Sequence, residues 1–565
     1  MPTLTIDGQA FPYEGKKMIL QVAQENGYEI PAYCYHPGLS IVASCRICLA
    51  EVAQPNPRNN NKLELIPKLM PTCQTPAADG MVVYTKSPKT VANQKAVMEY
   101  LLINHPLDCP VCDQAGECSL QDYSFKYGRS ESRFEEEKIK QPVKDIGPNV
   151  KLYSDRCIMC SRCVRFTREV SGTSEIAVFG RGATEQIDVF PGVPLANELS
   201  ANVVDLCPVG ALLDKDFLFT QRVWFLKETP SIDGITASGD NITIHHNDGQ
   251  VYRVKPRTNM EVNKWWISDE IRYGWKFVHA ENRLHRPVRQ QMGGAVESDW
   301  THAIHDAAHG LRQATPLPPR EGPEEGRANE TPAGSNRPSI AVIVSPMLSI
   351  EEAYLLAKLA RTLDPAALLI IGPIPRAGDD KTFPGGYTVS AEKCPNSRGV
   401  RRALERVAGD AAAVLSYDAG VAKLGEKNTT VKAAIITGGF PSQWTTKEIT
   451  AAVKGKFTVV LDVLPSELTE KADVVLPGAT WTEKNGTFEN AKGRLQSFEQ
   501  AIAVLEGART EGQIALDLMA ACGFGPPARY DAATVRDEIG GVMISAVKSP
   551  VHQHEAVPDL QYVEL

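Results

Sequence analysis

Soft-metal donors crowd the first part of the chain. Eleven of its thirteen cysteines fall between positions 34 and 207. With one histidine they form three groups: Cys34, Cys45, Cys48 and Cys73; His105, Cys109, Cys112 and Cys118; and Cys157, Cys160, Cys163 and Cys207. Each group offers four soft donors, the complement of one iron–sulfur cluster or one tetrahedral zinc. Three such groups in series suggest a chain that moves electrons along itself.

The third group has the most specific spacing. Its C-x2-C-x2-C run lets one tight loop present three thiolates to three corners of a cubane, and the remote Cys207-Pro208 closes the fourth. A two-cluster ferredoxin places a further cysteine four residues after the third, where this chain has Thr167. One [4Fe–4S] cluster is expected, with zinc as the poorer-fitting alternative. The first group, C-x10-C-x2-C-x24-C, is a stretched form of the plant-type [2Fe–2S] arrangement. Zinc and a redox dithiol are its alternatives. The dithiol needs a helix N-terminus at Cys45 and Cys48 to lower a thiol pKa, whereas Ile47–Val52 reads as strand. The second group, H-x3-C-x2-C-x5-C, is equally a common structural zinc set. Its place between two redox groups favours a [4Fe–4S] cluster with one neutral imidazole, which would raise the potential. Gly116 permits the sharp turn between its ligands.

Arg46, Arg156, Arg162, Arg165 and Arg168 crowd these loops. They either offset cluster charge and tune potential or form ordinary surface ion pairs. Cys394 and Cys522 stand alone and read as buried structural thiols. No phosphate-loop or zinc-hydrolase motif is present. Gly180-Arg181-Gly182 lacks the third glycine and the strand–helix setting of a dinucleotide fingerprint. NADH or flavin is therefore expected to bind elsewhere, and no catalytic residue is assigned.

The elements that position these groups belong to a chain of 565 residues, long enough for several domains. Hydrophobic content of 43% and charged content of 23% are ordinary for a globular protein, and a net charge of −8 argues against nucleic acid as the main partner. The first residues lack the pattern of a secretory signal, and no apolar run is long enough for a transmembrane helix. Membrane association is expected only through a partner. C-x2-C spacings in a large chain point to a reducing compartment and metal ligation rather than disulfides.

Short strand-like runs, Leu4–Ile6, Ile47–Val52 and Met81–Tyr84, flank a helix-like run at Met18–Asn26 with Gly27 as its stop. Residues 87–130 read as helix leading into a cysteine-rich loop, and the acidic run Glu135–Glu137 as a solvated linker. After Cys207 the texture changes. Residues 230–275 are rich in strand formers and turns, including Gly249. Residues 315–338 are dense in Pro, Gly, Glu and Asn and read as a disordered insertion or exposed loop. Beyond them the strand-like runs Ile340–Val344, Leu368–Ile371, Ala433–Ile436, Val459–Val463 and Val474–Leu476 alternate with helical stretches at Ile350–Leu363 and Arg398–Val407. Such alternation predicts a doubly wound, mainly parallel sheet.

The segments CYHPGLSIVASCRIC, HPLDCPVCDQAGECSLQD, DRCIMCSRCVRF and DLCPVGAL, in this order over residues 1–215, resemble a known family. It is that of the large iron–sulfur subunits of bacterial NADH–quinone oxidoreductase, the G subunits of respiratory complex I. NRLHRPV, ESDWTHAI and ADVVLPGATWTEKNGTFENAKGRLQ resemble the molybdopterin oxidoreductase superfamily, to which the C-terminal region of those subunits is related. The resemblance implies a multidomain α+β and α/β chain. Its parts would be a ferredoxin-like β-grasp [2Fe–2S] domain at 1–85, a [4Fe–4S] domain with one histidine and three cysteine ligands at 86–130, and a [4Fe–4S] ferredoxin-like domain at 145–225. A degenerate, cysteine-free cluster-binding-like β domain at 226–285 and a molybdopterin-oxidoreductase-like α/β region at 286–565 would follow. It assigns the [2Fe–2S] cluster to Cys34, Cys45, Cys48 and Cys73. One [4Fe–4S] cluster falls to His105, Cys109, Cys112 and Cys118, and another to Cys157, Cys160, Cys163 and Cys207. Implied partners are the FMN- and NADH-binding subunit and the subunits leading to the quinone site, with the whole at the cytoplasmic side of the bacterial inner membrane. Family members pass electrons singly from the flavin toward quinone, and membrane subunits couple that transfer to proton pumping.

Two departures stand out. Some members carry a fourth cluster on four cysteines just after this region. Here no cysteine lies between Cys207 and Cys394, and Ser268 stands near the expected last ligand, so that cluster is expected to be absent. No molybdenum ligand can be placed, so the GTFEN…GR segment reads as a retained structural loop and no molybdopterin is expected. Three rivals remain: a formate dehydrogenase-like molybdenum subunit, the diaphorase-side subunit of an NAD-linked hydrogenase, and a zinc-stabilised scaffold.

Overall fold

The computed structural model describes residues 1–291, 294–315 and 337–540. Apart from residues 315, 337 and 338, the expected insertion at 315–338 lies outside the described residues. The chain divides into two compact units. The first is Met1–Lys227 with the short segments Trp265–Asp269 and Thr382–Val389; the second is Glu228–Lys264, Glu270–Lys381 and the described residues from Ser390 onward. Among the described residues no helix is long and apolar enough to cross a membrane.

In the first unit, Thr3–Ile6 pairs antiparallel with Gln9–Pro12 and parallel with Val82–Tyr84, which pairs in turn with Leu49–Asn56. Lys62–Leu65 completes the far edge. The helix Ile19–Glu25 buries Ile19, Leu20, Val22 and Ala23 against Leu4, Ile6, Phe11, Val52 and Val83. A mixed sheet with one helix laid on it is the expected β-grasp. The strand expected at Ile47–Val52 starts two residues later, at Leu49, because Arg46 takes a left-handed turn just before it.

The helix Pro88–Leu102 begins with Ser87 Oγ accepting from the Thr90 amide, an N-cap that satisfies a free donor of the first turn. A second helix, Ser119–Tyr127, follows the cysteine-rich loop. The third cysteine block is built on the three-stranded sheet Leu212–Asp214, Val150–Tyr153, Val143–Asp145 and on the helix Arg162–Glu169. The hairpin of Ile176–Phe179 and Gln186–Val189 accompanies it. Gly180 to Gly182 therefore sits in the loop of an antiparallel hairpin and leads into a single 3-10 turn at Gly182–Thr184, not into an α-helix.

In the second unit, Asn241–Asn247 and Gln250–Pro256 form a hairpin around the turn Asp248–Gly249. The large sheet runs Gly294–Glu297, Val288–Gln291, Val474–Pro477, Phe457–Asp462, Ala433–Thr437, Ile340–Val344, Leu368–Ile371 and Val414–Leu415. Its last six strands are parallel, and Val288–Gln291 and Gly294–Glu297 add an antiparallel edge. Ile340, Val342 and Val344 face one core while Ala341 and Ile343 face the other, so the strand is buried on both sides. That double burial is why its sequence is an unbroken apolar run. The helix Ile350–Leu363 is opened by a capping box between Ser349 and Glu352.

Candidate metal centres

All twelve candidate donors belong to the first unit. Cys34, Cys48 and Cys73 are buried and Cys45 half-buried, with the Cys48 and Cys73 sulfurs 3.5 Å apart. The Cys45 and Cys73 thiols hydrogen-bond the Cys34 sulfur and hold it well below the ordinary thiol range. The loop turns back on itself through Ala43 and Arg46, both left-handed. Each such residue costs about 1–3 kcal/mol, a strain that the surrounding packing sustains. No helix starts at Cys45 or Cys48, so the dithiol alternative lacks the dipole it needs.

The third group follows the same design. Met159 and Ser161 are left-handed between its close-spaced cysteines. Cys163 enters the first turn of Arg162–Glu169, and Cys207 closes the short helix Asn202–Leu206. All four thiols line one small apolar cavity whose other walls include Leu152, Ile187 and Leu212. Burial pushes all four thiols up, Cys207 to about 11. Sulfur donors in so apolar a setting ionise only when a bound metal supplies the countercharge. The donor set and its cavity therefore fit a thiolate-ligated cluster.

The second group is more open. His105, Cys109 and Cys118 line one pocket of about 820 Å³ with Leu102, Leu120 and Phe125. Cys112 does not line that pocket; its sulfur lies against Gly210, where an added Cβ would stand 2.2 Å from it. Gly116 makes the expected turn at φ +91°, and a Cβ there would meet Val223 at 2.7 Å. Burial, with Arg156 and Lys138 nearby, pushes the His105 imidazole down to about 4, so it is neutral at ordinary pH. Its buried Nδ1 has no hydrogen-bond partner. A neutral ring with an unspent buried nitrogen fits a metal-ligating imidazole. Among the described residues, no three His, Cys, Asp or Glu side chains form a ready-made set for one metal ion.

Sequence reasoning missed how the three groups are joined. Cys34 and Cys45, Cys118, and Cys157, Cys160 and Cys207 all pack around one apolar cluster that includes Tyr33, Ile47, Met98, Leu120 and Val209. The Ser119 amide donates to the Pro208 carbonyl at 3.1 Å, tying the residue after Cys118 to the residue after Cys207. The arginines then separate by role. Arg156 and Arg165 are buried, and with Arg162 they donate to carbonyls of the ligand loops. Arg46 and Arg168 are exposed. Arg222, unremarked in the sequence, donates to the Cys112 carbonyl at 2.9 Å. Cys394 and Cys522 are buried in the second unit.

Family models match along the chain in the same order. They are a 2Fe-2S iron-sulfur cluster binding domain at residues 1–88, the NADH-ubiquinone oxidoreductase-G iron-sulfur binding region at 94–133 and the NADH-quinone oxidoreductase subunit 3 ferredoxin-like domain at 147–213. An NADH-ubiquinone oxidoreductase NDSU1/NuoG-like 4Fe-4S domain matches at 226–276 and molybdopterin oxidoreductase at 385–521. Residues 226–276 contain no cysteine. These matches and the grouped thiols define the class: ferredoxin-type iron–sulfur domains followed by a molybdopterin-oxidoreductase-type α/β region.

Among similar proteins, the mitochondrial NADH-ubiquinone oxidoreductase 78 kDa subunit of Neurospora crassa is 42% identical over 55% of this chain and 41% of its own length. The G subunit of the NADH-quinone oxidoreductase of Rickettsia conorii is 39% identical over 56% of this chain and 45% of its own. These matches span less than half of each relative. The mitochondrial NADH dehydrogenase [ubiquinone] iron-sulfur protein 1 of Solanum tuberosum is 31% identical over 93% of this chain and 81% of its own length. The chain belongs to the family of NADH–quinone oxidoreductase G subunits.

Proposed function

We propose that this chain is the electron-relaying iron–sulfur subunit of a proton-translocating NADH–quinone oxidoreductase. The observation that carries the reading is the single apolar cluster touching cysteines of all three groups. Donor sets that share one packed, water-poor core suit electron transfer between neighbours. Cys34, Cys45, Cys48 and Cys73 would hold a [2Fe–2S] cluster. His105, Cys109, Cys112 and Cys118 would hold one [4Fe–4S] cluster and Cys157, Cys160, Cys163 and Cys207 another. When bound, these clusters supply one-electron chemistry that needs no general acid or base on this chain. The residues here bind, bury and orient them.

Electrons would arrive from the FMN- and NADH-binding subunit and leave toward the subunits of the quinone site. Cys109 is the exposed member of the cysteine set. Around its loop stand Leu107, Val111, Phe125, Phe219 and Trp224, all exposed and apolar, as suits a docking face. The chain would lie at the cytoplasmic side of the bacterial inner membrane, held there by its partners.

The cysteine-free stretch 226–276 supports the absence of a fourth cluster. In the GTFEN…GR segment, Glu489 pairs with Arg402, and Asn490 Oδ1 accepts from the amides of Lys492 and Arg494. Glu351 holds Thr487. Those bonds, within the segment and to the helices that carry Glu351 and Arg402, support its reading as a structural loop. Anaerobic purification with iron, sulfide, zinc and molybdenum analysis tests the reading. The expected result is about ten irons per chain with matching sulfide and no molybdenum. Zinc without sulfide would reject it, and about fourteen irons would restore the fourth cluster.

A further inference from the structure

We propose that Arg165 is a shared positioning residue: one buried cation that ties the loop of the first cysteine group to the loop of the third and sets the electrostatic potential at both. The inference rests on the cluster-bearing reading above. Arg165 is 6% exposed. Its guanidinium donates to the carbonyls of Cys34 and Ser40, and to that of Cys160 at 3.3 Å. Two of those acceptors belong to ligands of different groups. Arg162, one turn earlier on the same helix, repeats the design. It donates to the Tyr35 carbonyl at 2.6 Å and the Leu206 carbonyl at 3.3 Å, residues adjacent to Cys34 and Cys207.

Charge makes Arg165 more than a staple. A guanidinium keeps its proton in proteins, and buried charges are normally paired with opposite ones. Among the described residues Arg165 has only carbonyl acceptors. The nearby carboxylate of Glu169 is engaged with the amide and hydroxyl of Ser40. Those neutral donors leave the carboxylate its charge, so the countercharges around Arg165 are Glu169 and the anionic sulfur of the Cys34 and Cys160 groups. In a low-dielectric setting one positive charge then acts on both donor sets and favours the reduced, more negative state of each.

The test is an EPR-monitored redox titration of the full chain, purified anaerobically with its clusters, the third-group signal being assigned by its loss in Cys157→Ser. In Arg165→Met both the [2Fe–2S] and the third-group midpoint potentials should fall. Each fall should reach at least the ~59 mV of a tenfold change in a one-electron equilibrium. Arg165→Lys keeps the charge but not the planar fork, so both potentials should fall by less. Arg168→Met, an exposed neighbour on the same helix, should move neither. A shift confined to one signal, or none, in Arg165→Met would overturn the proposal; should that variant not accumulate, the same outcome in the equally uncharged Arg165→Gln would do so. If the unmodified chain lacks both signals, the cluster reading itself fails instead.

Discussion

The Arg156 guanidinium meets the Asp108 carboxylate at 2.9 Å while packing over the Tyr153 ring, 3.9 Å from its centroid. Asp108 immediately precedes Cys109 and Arg156 immediately precedes Cys157, so one ion pair joins the second ligand loop to the third. Arg156 is buried and Asp108 about a third exposed. The arrangement acts as a clamp between two donor sets otherwise far apart in sequence.

Asp108→Asn should therefore leave a buried cation without its partner. For a pair exposed on one side the cost is about 1–3 kcal/mol. It should read out as a lower temperature of visible bleaching on heating. The His105–Cys118 EPR signal should be lost before the others.

Gly210→Ala should displace the Cys112 sulfur, since the new Cβ would lie 2.2 Å from it with Arg156 packed beyond. The expected variant loses about four irons per chain and keeps its [2Fe–2S] signal. Full iron content in that variant would show that Cys112 is not a ligand.

Acid sensitivity of the N-terminal domain should trace partly to Asp7. Burial raises its pKa, but hydrogen bonds from Thr85 and Tyr28 outweigh burial, and the net shift is downward from 3.8. A folded pKa below the unfolded one contributes stability above pH 3.8 that is lost as pH falls through the folded value. Asp7→Asn should cost about 1 kcal/mol at pH 7 after solvent screening. Its urea midpoint should converge with that of the unmodified chain below pH 3.8.

In the second unit, Lys484 is buried between Glu352 at 2.9 Å and Glu511 at 2.8 Å. Lys484→Met would leave two carboxylates without their cation, at a cost of about 3–5 kcal/mol. Thermal unfolding should shift down markedly. Replacing all three by apolar residues of similar volume should recover much of the loss.

Much of the fold was legible because burial writes itself into the sequence. Ile340–Val344 is apolar throughout because both its faces are covered, and Ile350–Leu363 is rich in apolar residues because ten of its fourteen residues are buried. The helix Ser119–Tyr127 was hidden, since only Leu120 among its residues is buried and its pattern is mostly polar. Arg162–Glu169 was hidden for the opposite reason: its arginines read as loop, yet five of its eight residues are buried. The antiparallel edge strands were also missed, because their exposed residues carry no alternation strong enough to see.

The sequence by itself determined the donor sets, because ligand type and loop spacing are local properties that survive without a fold. It could not say which arginines matter. Arg165 and Arg168 are three residues apart and chemically identical, yet one is buried among ligand carbonyls and the other faces solvent. Only the tertiary structure decided that, by choosing which face of a short helix meets Cys34 and Cys160. The same holds for the core shared by all three groups, since Tyr33, Leu120 and Val209 become neighbours only when distant segments pack.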